Sequence, residues 1–111
     1  MAEGGFRNYA RREGLKLLAL ELILSWGEQF DWYVQPVAGG IGIYSFDKAY
    51  RDLGIPDRCP KMLGVQATIC SPKVNAWRDG SPDLKAQHVP ESVVPSEFVR
   101  VLRTRNPADS Y

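Results

Sequence analysis

At 100° per residue, Arg7, Arg11, Glu21, Ser25 and Glu28 fall in one sector of a helical wheel, and Leu15, Leu22, Ile23 and Trp26 fall on the other side. Residues 8–26 are dominated by Leu, Ala, Arg, Glu and Lys, with Asn8 placed as an N-cap and Gly27 as a stop, so they predict a long first helix. Leu17, Leu20 and Leu24 widen its apolar arc until it calls for cover on two sides, by a sheet and a second element or by a sheet and a partner subunit.

A period of two follows. In 29–37, Phe30, Trp32 and Val34 alternate with Asp31, Tyr33 and Gln35, which predicts a strand that ends or lies at an edge at Pro36. Gly39-Gly40 then reads as a hairpin turn, with 41–44 as its returning arm. Ser45 caps a short helix with Phe46, Ala49, Tyr50 and Leu53 at i, i+3, i+4 and i+7; Asp47 and Arg51 pair on its wet face, and Gly54 and Pro56 stop it. A loop at 57–61 leads to 62–70, whose clean alternation predicts the central strand, and 73–77 predicts the next one. Turn formers fill 78–83, the stretch 83–95 is irregular, and the β-branched content of 97–103 favours a further strand. The fold expected is α+β: an antiparallel sheet of four to five strands, with one long N-terminal helix and one short helix packed on one face. One domain, 1–111, is expected, with mobile ends at 1–6 and 106–111.

Composition supports a single core, since 44% of the 111 residues are hydrophobic. Fourteen basic against thirteen acidic side chains leave a net charge of +1, which argues against an acidic DNA mimic and against a polycationic nucleic-acid binder. The apolar run 15–26 is broken by Lys16, Glu21 and Ser25 and falls short of the roughly 20 residues a membrane span needs. It lacks a small-residue cleavage pattern, so no secretory signal is expected. Two cysteines, Cys59 and Cys70, without a CxxC spacing point to a reduced, cytoplasmic protein.

Candidate chemistry is sparse. His88 is the single histidine, and Cys59, Cys70 and His88 are too widely spaced for a structural zinc site, so neither metal nor cofactor is expected. Cys59, between Arg58 and Lys61, is the better candidate thiol nucleophile, against the plainer reading of an inert loop residue. Glu21 interrupts an apolar helix and could face a pocket, but Ser25 and Glu28 on the same stripe favour a solvent edge. Gly39-Gly40-Ile41-Gly42 lacks the GxGxxG and GxxxxGK[ST] spacings, and as a link between two strands it would offer no helix N-terminus to a phosphate.

Two surfaces compete for a function. Trp32, Tyr33, Tyr44, Trp77 and Arg78 are the residue types that dominate protein contacts, and Trp32 and Tyr33 must point to opposite faces of a strand. Arg7, Arg11, Arg12 and Lys16, with Arg100, Arg103 and Arg105, could join into a basic patch for nucleic acid, with Tyr9 stacking inside it, although Glu13 and Glu97 dilute both groups. The sequence therefore favours a non-enzymatic protein-binding module, an accessory subunit, inhibitor or assembly protein of viral or mobile-element type, partnered by another protein or by itself as a homo-oligomer. The alternatives are a nucleic-acid binder built on the basic clusters, and a small enzyme or ligand carrier using Glu21, Cys59 or His88 in a helix–sheet pocket.

Overall fold

The computed structural model describes residues 8–27, 30–68 and 70–80. Their elements run α1 (Tyr9–Trp26), β1 (Trp32–Pro36), α2 (Ile41–Asp52), a 3-10 turn (Pro56–Arg58), β2 (Lys61–Val65) and α3 (Pro72–Arg78). They fall into two compact units, one of residues up to Gln35 with Ile41–Gly64, the other of Pro36–Gly40 with residues from Val65 onward.

In the first unit α1 begins where its capping residue predicts: the Asn8 side chain accepts the Arg11 N–H at 3.0 Å. It ends at Gly27, whose φ of +89° suits glycine and whose N–H donates to the Ile23 carbonyl. One side of α1 packs on α2, and Ala19, Phe46, Ala49 and Tyr50 form the core, flanked by Leu20, Leu22, Ile23, Tyr33, Ile55, Cys59 and Met62. The Tyr33 and Phe46 rings stack with centroids 3.8 Å apart, which ties β1 to α2. Two hydroxyls, Ser45 Oγ and Tyr50 Oη, are buried on α2 with no hydrogen-bond partner among the described residues.

An ion cluster closes the α1–α2 seam. Lys16 and Lys48 both reach Asp52, at 2.5 and 2.6 Å, and both reach Glu13. Bonds from Lys16 hold the carboxyls of Glu13 and Asp52 below their usual range, and Asp52 in turn raises both lysines. The two-sided cover expected for α1 is not found among the described residues, since Leu24 and Trp26 are 86% and 79% exposed.

β1 and β2 form a two-stranded parallel sheet, opened by the Lys61 N–H on the Asp31 carbonyl at 3.1 Å. Parallel neighbours cannot be joined by a tight turn; they need a crossover, and α2 is that crossover. This corrects the expected antiparallel sheet of four to five strands, and the described residues hold three α-helices where two were expected. Residues 41–44 are the first turn of α2 and not a hairpin arm, Ser45 lies inside that helix, and 73–77 is helical. The strand predicted over 62–70 stops at Val65.

In the second unit the Val37 N–H donates to the Val65 carbonyl at 2.8 Å, and Pro72 and Ala76 of α3 are buried with Cys70. The expectations for the ends 1–6 and 106–111, for 83–95 and for the strand at 97–103 lie outside the described residues, as does Glu28. No helix among the described residues is long and apolar enough to cross a membrane.

Candidate functional site

The chain leaves β1 at Pro36, passes Val37-Ala38-Gly39-Gly40 and enters α2 at Ile41. An α-helix leaves its first N–H groups without intrahelical acceptors and concentrates positive partial charge there, so a strand–glycine–helix passage is suited to an anion. Gly40 has φ +92°, a left-handed conformation that side chains other than glycine rarely adopt. Two features of the sequence argue against a phosphate loop at Gly39–Gly42, the absent GxGxxG and GxxxxGK[ST] spacings and an expected return strand; the 12-residue helix that follows removes the second, and the spacing remains atypical.

Gln35 supplies a side chain at the same helix opening. A Cβ on Gly42 would stand 2.6 Å from Gln35 Oε1 and 2.9 Å from its Cδ, so the amide occupies the space that glycine leaves. The Tyr33 hydroxyl donates to Gln35 Oε1 at 3.2 Å. Burial raises the Tyr33 hydroxyl's pKa, which keeps that proton in place. With its oxygen taken, the Gln35 amide has its Nε2 hydrogens to offer beside Gly42, and an amide donor next to opening helix N–H groups can bind a phosphate or carboxylate oxygen.

The residues singled out from sequence divide between the units. Trp32 is exposed, with the Lys61 ammonium 5.4 Å from its ring centroid, and Tyr33 is partly buried, so the two do take opposite faces of β1. Tyr44 is partly buried on α2, whereas Trp77 and Arg78 stand exposed on α3 in the second unit. Of the basic group, Arg12 lies 5.6 Å from the Tyr9 ring and Lys16 is held by Glu13 and Asp52; Arg11 is exposed. Arg7, His88, Arg100, Arg103 and Arg105 lie outside the described residues. Glu21 is exposed at the solvent edge of α1. Burial and then Asp47, whose Oδ1 accepts from the thiol at 3.9 Å, push the Cys59 pKa up, the opposite of an activated nucleophile. Gln35 was not singled out from sequence, and Gly42 was weighed only within a strand-to-strand turn; an apolar face at 46, 49, 50 and 53 directly after a glycine cluster was the available signal.

No protein-family model matches the chain, and no solved structure matches it. Among curated proteins it is similar to cysteate synthase of Methanospirillum hungatei, with 32% identity over 111 residues that cover 95% of this chain and 26% of that protein. It is also similar to threonine synthase of Methanosarcina acetivorans, at 32% identity over 93% of this chain and 25% of that protein, and to threonine synthase of Methanocaldococcus jannaschii, at 30% identity with the same coverage. The chain thus spans about a quarter of the length of the curated relatives it matches. These likenesses overturn the expectation of a non-enzymatic protein-binding module of viral accessory type: the proteins that this chain resembles along nearly its whole length are enzymes that build amino acids.

Proposed function

We propose that this chain supplies the phosphate-holding β1–α2–β2 segment of an amino-acid synthase of the cysteate and threonine synthase kind. The observation that carries the reading is the parallel strand–glycine–helix passage at 36–42, in a chain similar to a cysteate synthase over 95% and to a threonine synthase over 93% of its length. In open parallel sheets, ligands sit beyond the carboxyl ends of the strands, where the following loops and helix openings meet them.

Cysteate and threonine are both α-amino acids distinguished by what is attached to the carbon next to Cα. Pyridoxal phosphate supplies the chemistry for that carbon, by acting as an electron sink for charge at Cα. The phosphate end of such a group fits this chain: Gly40 admits the left-handed entry, the opening N–H groups of α2 face outward along the helix axis, and Gln35 adds an amide donor. The role of this chain's residues is to bind and orient the phosphate. The thiols of Cys59 and Cys70, which are not joined in a disulfide, support a reducing, cytoplasmic location.

Titration of the ¹⁵N-labelled chain with inorganic phosphate and with pyridoxal phosphate tests the reading. Saturable shifts of the Ile41 and Gly42 amides and of the Gln35 side-chain amide are expected with both. Shifts confined to other residues, or none up to millimolar ligand, would remove it.

A further inference from the structure

We infer that Gln66 is a positioning residue that fixes the path of the glycine segment. The inference rests on the phosphate-holding role proposed for that segment. Gln66 is the first residue beyond β2, and its side-chain amide makes three bonds. Nε2 donates to the Val37 carbonyl at 3.1 Å, while Oε1 accepts the backbone N–H groups of Lys73 at 3.0 Å and Val74 at 3.3 Å. The orientation of the amide is dictated by its neighbours, because turning it over would set its NH2 against two N–H donors and its oxygen against a carbonyl.

The Val37 residue is thereby held at both ends, its N–H by the Val65 carbonyl at 2.8 Å and its carbonyl by Gln66. Gly39 and Gly40 follow two and three residues later, with no side chains of their own to pin them. Val37 is also buried, so the anchored point is shielded from competing water. The same amide caps the start of α3, whose own N-cap residue, Ser71, makes no capping bond. One side chain therefore sets both where the glycine segment departs and where α3 begins.

Two variants of the full chain separate this role from general support. Gln66→Glu keeps the acceptors for Lys73 and Val74 but has no proton for the Val37 carbonyl; Gln66→Leu loses all three bonds. In Gln66→Glu, exchange of the Val37 amide, which is bonded to the Val65 carbonyl, is expected to speed up about fivefold, as for one lost hydrogen bond, with Lys73 and Val74 still protected. Inorganic phosphate affinity is expected to fall by a similar factor. In Gln66→Leu both regions lose protection. The inference is overturned if Gln66→Glu leaves Val37 exchange at the wild-type rate, or if exchange rises uniformly along the chain. If Val37 does loosen while the wild-type chain shows no affinity for phosphate, the positioning stands and the phosphate reading fails.

Discussion

Gly40→Ala is the substitution that most directly probes the helix entry. At φ +92° an alanine meets the left-handed penalty of roughly 1–2 kcal/mol, offset by roughly 0.4–1 kcal/mol from the smaller entropy of its unfolded chain. The expected net loss is about 0.8 kcal/mol from the middle of those ranges, read from urea denaturation. A chain that escapes the strain by rotating φ swings its peptide N–H away from the α2 opening. Loss of one charge-assisted bond to phosphate, about 1.5–3 kcal/mol, then weakens the affinity tenfold or more. Gly39→Ala is the control, because Gly39 does not have a positive φ and a Cβ there meets nothing within 4 Å. Equal behaviour of the two variants, or wild-type stability and phosphate affinity in Gly40→Ala, would refute the argument from backbone conformation.

Phe46→Ala removes a ring that is 1% exposed and stacked on Tyr33, and should cost about 3–5 kcal/mol in a denaturant titration, while Leu53→Ala at a 48% exposed position should cost far less. Glu13 and Asp52 have lowered pKa values, so their contribution is present above the ordinary carboxylate range near pH 4 and is lost as pH falls through the lowered values. The raised values of Lys16 and Lys48 work the other way, with stability lost as pH climbs above about 10.4, and Lys16→Met should flatten both limbs of a low-salt stability–pH curve. Cys59 should react with iodoacetamide at pH 8 more slowly than a small free thiol, and Asp47→Asn should speed it up; a faster wild-type reaction would contradict the buried, acid-facing environment.

Where local signals agreed with the fold, they were sufficient. α1 announces itself through Asn8, Gly27 and a run of strong helix formers, and the inner face of α2 through Phe46, Ala49 and Tyr50. The opening of α2 was hidden because Ile41, Gly42, Ile43 and Tyr44 all favour other conformations. What holds them helical is packing further along, with Phe46 on Tyr33 anchoring the second turn. Mistaking that turn for a hairpin arm reversed β2 relative to β1, made the sheet antiparallel and left the glycines without a helix behind them. A single local error thus concealed both the crossover and the candidate site. The alternation that continues past Val65 ran into Gln66, whose side chain is engaged with Val37 and α3 and not with a ladder partner.

The pair of hydroxyls enclosed on α2 has a consequence for how this helix can change. Ser45 and Tyr50 surrender hydration on folding and recover no bond among the described residues, so each holds the folded form below the cohesion its volume could provide. Hydrocarbon replacements, alanine and phenylalanine, keep the shape and shed that burden. A sturdier version of the segment is therefore only one or two conservative substitutions away, at positions on the helix's inner side rather than at its opening turn.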